Sequence, residues 1–503
     1  MKLSNKILYA LLLVFTISGC TKLDEEQFGR LSPANYYKTE QEALSSVLGI
    51  YQALQQVAHI GDPWRISEYG TDEFIVPGRA SGGWFDQNNI DMMVHNVRPD
   101  NQAIGRAWKQ IFQVIGTANA VIESLNSSPS AGNFKAVAAE AKALRAYGYF
   151  YAMDLWGNVP IATQARIDPA NLPATNSRAE VFRFVEQELI AAAADLPSVT
   201  TVNRATYYPR LTREAIFTAL ATLYLNAEVY TGTAKWTEAN AMCDNVIRTN
   251  AYTLEANTVD NFKATNEANS KEIIFAFSID PSRTSGSNQF ILYAQPALDQ
   301  QRYGLPFAPA NGYSTYQEAL DRYETIDNRK KLIEYGPQTY LDGRPLVDAR
   351  GVQLNLVAVK DYVSAQDNEG YRVLKYVPDG VKWAGSSADN DLVLTRYADI
   401  LLTKAEALFR IGNTGDALTL VNQIRARSKA STLGTITIQE IENERAREFI
   451  WEGHRRRDMI RFGSFFNKTW TFKTTVDPVW KGIYPIPTEQ LASNPKLKQN
   501  PNY

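Results

Sequence analysis

Histidine and cysteine are almost missing from this chain, with three and two residues among 503. The histidines, His59, His95 and His454, have no metal-ligand spacing, and no HExxH, CxxC, GxSxG or Walker-type sequence occurs. No metal or other cofactor is therefore implied. Nearly every local signature of catalysis is absent too, paired carboxylates excepted, because these leave no local pattern. Two cysteines, Cys20 and Cys243, cannot build a disulfide framework; Cys243, at helical spacing with Val246 and Ile247, reads as a small buried apolar residue. A surplus of positive charge is lacking as well: 52 Lys and Arg stand against 54 Asp and Glu, for a formal net charge of −2. That balance argues against a nucleic-acid partner. The apolar run from about Ile7 to Ile17 falls short of the roughly 20 residues a membrane span needs.

That short run has another use. Lys2 and Lys6 precede it and Ser18-Gly19-Cys20 follow it, the layout of a secretory signal with small residues before the cut. Cys20 directly after the small pair resembles the bacterial lipobox, in which the thiol is acylated and becomes the mature N-terminus. Each methylene of such an acyl chain buried in a bilayer contributes about 0.8 kcal/mol. Leu23-Asp24-Glu25-Glu26 then resembles the acidic tag of Bacteroidetes-type surface lipoproteins; a solvated tether is the plainer alternative. The expected organisation is a signal peptide over 1–19, a lipidated acidic tether over 20–35, a helical region over 36–250, an irregular region over 251–392 and a second helical region over 393–503.

The helical regions are read from capping and periodicity. Thr39/Glu42, Ser177/Glu180 and Thr437/Glu440 have capping-box spacing and open three helices. Ile104, Trp108, Ile111, Ile115, Ala118, Ile122 and Leu125 alternate steps of four and three, one face of a long amphipathic helix. Its expected partner carries Val137, Ala141, Leu144, Gly148, Tyr151 and Leu155, with small residues at 141 and 148 for a close crossing. Two segments, 211–246 and 395–424, each read as helix, glycine turn, helix, the tetratricopeptide type of unit. The chain is thus expected to be mainly α, with tetratricopeptide-like pairs as a scaffold for a loop-rich region containing short strands. Ile273–Phe277 reads as a buried strand and 371–377 as a half-exposed one. The loop from Gly61 to Asn101 belongs with the irregular part. The segment 444–461 reads as one helix with an exposed ion-pair network, Glu444 with Arg447 and Glu452 with Arg456.

Aromatic residues are the informative excess: 26 Tyr, 21 Phe and 9 Trp, many beside Gly, Asp or Asn. Rings suit the C–H face of a sugar, while carboxylates, amides and guanidinium groups suit its hydroxyl edge. The segments 68–73 and 82–89 hold both kinds together, which makes Trp84 the first candidate for a stacking platform, with Trp64, Asp72 and Glu73 near it. From the irregular half the candidates are Asp299, Arg302, Tyr303, Arg372 and Trp383.

Four stretches together resemble the SusD/RagB family of surface nutrient-binding lipoproteins. They are Leu144-Arg145-Ala146 running into Leu155-Trp156-Gly157-Asn158-Val159-Pro160; Arg396-Tyr397-Ala398-Asp399-Ile400-Leu401-Leu402 with Glu406-Ala407; Glu452-Gly453-His454-Arg455-Arg456-Arg457-Asp458-Met459; and the tail Tyr484-Pro485-Ile486-Pro487 ending Gln499-Asn500-Pro501-Asn502-Tyr503. The resemblance implies a non-catalytic protein, lipid-anchored at the outer membrane and facing the cell exterior. It would capture a glycan and deliver it to a SusC-like TonB-dependent transporter. Two other readings stay open: a peptide- or protein-binding scaffold with a helical groove, and a surface glycoside hydrolase. The matching motifs are themselves scaffold, so specificity is expected in the loops, and the sequence does not say which glycan is bound.

Overall fold

The computed structural model describes residues 37, 39–59, 61–264, 266, 270–280 and 288–503; the expected signal peptide, Cys20 and acidic tether lie outside them. Among the described residues no helix is long and apolar enough to cross a membrane.

Helix α1 (Glu40–Ala58) begins at the expected cap: Thr39 Oγ1 accepts from the Glu42 N–H, and the Glu42 carboxylate accepts from the Thr39 N–H. Two donors that a helix start leaves open are thereby satisfied. Two short helices, α2 (Asp62–Tyr69) and α3 (Gln87–Met93), occupy the stretch read as a loop. They are too short to show periodicity, and what starts them is local: Pro63 in the first turn of α2, and Asp86 accepting from the Asn88 N–H in α3. Then come α4 (Gln102–Asn126), α5 (Lys135–Trp156) and α6 (Arg178–Asp195), the last behind the Ser177/Glu180 capping box. The two hairpins follow as α7 (Arg213–Leu225) with α8 (Trp236–Ile247), and α9 (Tyr397–Arg410) with α10 (Thr414–Arg427).

From α4 to α10 each helix packs on the next, and α8 meets α9 although residues 248–396 separate them in the chain. A solenoid of this kind buries each apolar face under its neighbour. Gly148 lets α5 approach α4: a Cβ there would lie 2.9 Å from Ile115 Cγ1 and 3.4 Å from Val114 Cγ1. Cys243 is buried in α8, where burial raises its thiol pKa.

The irregular region leaves and re-enters this stack through one ribbon. Strand β1 (Ile273–Phe277), wholly buried, pairs antiparallel with β2 (Leu392–Arg396), which runs directly into α9. The expected strand over 371–377 shrinks to Arg372–Val373, buried, because both of its faces are covered. It pairs with Ile333–Glu334.

The expected helix over 444–461 is two helices, α11 (Ile438–Glu448) and α12 (Arg455–Phe462). Trp451, at φ 59°, and Gly453, at φ 77°, turn the chain between them. Thr437 caps α11 one way only, accepting from the Glu440 N–H. The ion pairs are buried rather than exposed. Glu444 does pair with Arg447, but Glu452 pairs with Arg396 and Lys375, not Arg456. Arg396 also binds Glu272 and Glu448, and Arg329 binds Asp327, Glu444 and Glu448. His454 stacks on Phe449 with ring centroids 4.7 Å apart, and burial lowers its pKa to about 3. The C-terminal tail straps this end to the first helices: Tyr484 donates to the Ile66 carbonyl, and Asn500 to the carbonyls of Trp156 and Tyr484.

Candidate functional site

The loop 68–73 is the first surprise. Its carboxylates face inward and hold the turn between α11 and α12. Asp72 receives Arg455 at 2.7 Å, Arg322 at 2.5 Å and Lys468 at 2.5 Å. Glu73 accepts the Trp451 backbone N–H, and Glu68 that of Gly453. Despite complete burial, which opposes ionisation, the three cations hold Asp72 well below the usual carboxylate range. Glu73 has fewer compensating charges, and burial pushes it up to about 7. Trp64 is equally internal, edge-on to Phe74 at 5.4 Å and Phe290 at 5.1 Å. Asp72, Glu73 and Trp64 are therefore corrected from ligand contacts to a latch joining the two ends of the chain. A charge run beside glycine reads alike whether it faces water or buried arginines.

Trp84 stands apart from these. Gly82 (φ 105°) and Gly83 (φ 84°) reverse the chain just before it, and Trp84 itself is left-handed at φ 63°. Its indole is half-buried, donates to the Ala310 carbonyl at 2.7 Å and sits edge-on to Tyr293 and Tyr313. The ring lies against Gly312, where a Cβ would come within 2.5 Å of it. Phe85 beside it is 54% exposed.

Ala310 belongs to the wall of a cleft of about 580 Å³. Four segments meet there: the turn at Ser81, the run 296–298, the run 309–311 and the run 366–368, closed by the turn 348–355. Its polar lining is rich in side-chain amides (Asn311, Gln353, Asn355, Gln366 and Asn368), with carboxylates at Asp348 and Asp367. Arg350 closes on Asp348 at 2.7 Å, and Ser81 donates to Asp367 at 2.6 Å. Such a lining offers many donors and acceptors and little uncompensated charge.

Two buried arginines hold these segments in register. Arg79 donates to the carbonyls of Asn311, Gln366, Glu369 and Gly312 and to Ser314 Oγ. Arg372 donates to Ser314 Oγ, the Asn311 side chain and the carbonyls of Asp367, Glu369 and Gly370. Burial lowers Arg79 to about 10, and burial also lowers Arg372 well below the ordinary guanidinium range, with the charge of Arg79 adding to it. Arg372 is thus corrected from a ligand contact to a fastener beneath the cleft. Asp299 is likewise internal, behind the wall residues Pro296 and Leu298, with Arg302 between it and Glu334. Arg302 is half-buried and stacks on Tyr303 at 4.9 Å. Trp383 is half-buried in a small hairpin and meets Phe307 edge-on at 5.2 Å, two residues before the cleft wall begins at Pro309.

The structure thus ties Trp84 to the cleft wall through Ala310 without placing it in the lining, and leaves Arg302, Tyr303 and Trp383 on its flanks. Asp348, Gln366, Asp367 and Asn368 were missed because they sit in turn-type runs, Asp348-Ala349-Arg350-Gly351 and Gln366-Asp367-Asn368-Glu369-Gly370. Clustered side-chain amides in such runs were the available signal.

A family model described as "SusD family" matches residues 351–503, and one described as "Starch-binding associating with outer membrane" matches residues 37–225. SusD-like protein P38 of Formosa agariphila is 25% identical over 521 residues, covering 96% of this chain and 95% of that one. Starch-binding protein SusD of Bacteroides thetaiotaomicron is 29% identical over 417 residues, 73% of this chain and 72% of that one. Among solved structures, surface glycan-binding protein A from Bacteroides thetaiotaomicron in complex with laminarihexaose superimposes with a TM-score of 0.75 at 21% identity, over 92% of this chain and 99% of that one.

Proposed function

The chain belongs to the SusD/RagB family, and from that premise we propose that it is a cell-surface lipoprotein that captures a glycan without cleaving it. The captured oligosaccharide or polysaccharide is then handed to a SusC-like TonB-dependent transporter in the outer membrane, with the Cys20 lipid holding the protein beside it. The observation that carries this reading is the cleft itself: amide-rich, nearly charge-balanced, and with the half-buried indole of Trp84 bonded to the Ala310 carbonyl of its wall. Amides and carboxylates serve the hydroxyl edge of a sugar and the ring serves its C–H face. Support also comes from a relative named for starch binding and a structural neighbour that carries laminarihexaose. Delivery to a transporter requires that the ligand leave readily, which suits an open cleft better than an enclosed cavity.

Affinity-gel electrophoresis against a panel of polysaccharides tests this directly. At least one gel retards the protein, Trp84→Ala abolishes most of that retardation while circular dichroism still reports the folded protein, at a lowered melting temperature, and no shortened products appear on prolonged incubation. A panel that retards nothing, or a Trp84→Ala variant retarded like the parent, overturns the assignment of the cleft. Release of products assigns a hydrolase instead.

A further inference from the structure

A second cavity, of about 320 Å³, lies where the C-terminal end of α10 meets two single-turn helices, Thr258–Phe262 and Asn328–Leu332. Its charge differs from that of the cleft: four cations line it and no carboxylate does. Two of the four are already spent. Arg329 is buried among Asp327, Glu444 and Glu448, and Arg427 donates to Glu272 and Glu448. The other two, Lys331 and Lys429, are exposed at the cavity and have no ion-pair partner among the described residues. Deeper in, the Thr258 hydroxyl is buried with no hydrogen-bond partner. An orphaned buried hydroxyl costs about 1–3 kcal/mol, so it marks a place where a ligand atom would be favoured. Asn328 also lines the cavity, while Leu332, Leu374 and Val377 supply apolar wall.

We propose that this cavity is a second binding site, for a sugar acid. Its carboxylate lies between the Lys331 and Lys429 ammonium groups, its hydroxyls meet Thr258 and Asn328, and its C–H face rests on Leu332, Leu374 and Val377. The volume, at the small end of the 300–1,000 Å³ usual for ligand pockets, suits one monosaccharide unit. Two free cations without a competing acid select an anion over a neutral sugar. The apolar wall and the hydroxyl partner select an organic acid over a bare inorganic one. No residue of the cleft takes part, so the two sites are separable.

Isothermal titration of the full chain in detergent with glucuronate, glucose and sodium sulfate tests the proposal, at constant ionic strength. Glucuronate binds saturably, and glucose and sulfate each bind at least tenfold more weakly. The double variant Lys331→Gln/Lys429→Gln loses at least tenfold in glucuronate affinity, and Thr258→Val loses severalfold. Both keep the polysaccharide retardation that reports on the cleft, and Trp84→Ala keeps the glucuronate affinity. Three results overturn the proposal: no saturable glucuronate binding, sulfate binding as tightly as glucuronate, or a lysine double variant that binds like the parent. None of these bears on the cleft, whose failure would show only in the retardation assay.

Discussion

Asp299 illustrates how much a single carboxyl depends on its surroundings. It lies buried behind the cleft wall, and desolvation first, then the neighbouring Glu334 carboxylate, pushes its pKa up to about 8, against the opposing pull of Arg302. In the unfolded chain an aspartic acid ionises near about 3.9. Between those values the folded protein holds a proton that the unfolded chain has released, so stability falls as pH rises through that window. Asp299→Asn keeps the shape and removes the titration. Its melting temperature therefore gains on the parent progressively between pH 5 and pH 8, in scanning calorimetry at several pH values. A difference that stays flat with pH would mean Asp299 is ionised in the fold. The sequence offered Asp299 as a ligand contact because acidity is visible in a residue name and burial is not. Gly82 and Gly83 do reverse the chain before Trp84, but the indole packs edge-on against Tyr293 and Tyr313 rather than standing clear of the core.

Among the elements, long helices were legible almost to the residue. The stripe from Ile104 to Leu125 became α4, and Gly148 became the contact point of α5 with α4. Gly148→Leu forces side-chain bulk into a space already filled by Ile115 and Val114, costing about 1–3 kcal/mol. Gly116, exposed in the middle of α4, has open space where a Cβ would point, with nothing within 4 Å. Gly116→Ala therefore stabilises by about 0.5–1 kcal/mol through helix propensity alone. Urea unfolding of the two variants, read as opposite shifts of the midpoint, checks both. The short elements escaped for a physical reason: α2 and α3 span two turns each, too few for a 3.6-residue period to repeat. The break between α11 and α12 escaped because Trp451 is left-handed, a conformation few side chains favour and no local pattern predicts.

At the scale of the whole molecule, buried charge joins what the chain order separates. Arg396 at the start of α9 binds Glu272 beside β1 and Glu448 and Glu452 from the C-terminal turn, all buried. Arg396→Met takes the shared cation from three buried carboxylates, leaving Glu272 and Glu448 to Arg427 and Glu452 to Lys375, and destabilises by about 3–5 kcal/mol. Arg344→Met, which removes an exposed partner of Asp342, leaves the unfolding midpoint almost where it was, because water already screens that pair. Chemical denaturation of both separates a network that holds the fold from one that decorates it. The sequence by itself determined the helical scaffold, its hairpin repeats and its family, because helix period, caps and small crossing residues are properties of neighbours along the chain. Only the tertiary structure decided which charges and rings meet water: Asp72 and Glu73 went inward to a latch, while Asn311, Gln366 and Asp367 came out at the cleft. Exposure depends on partners hundreds of residues away, such as Arg455 for Asp72, and composition along the chain carries no record of that distance.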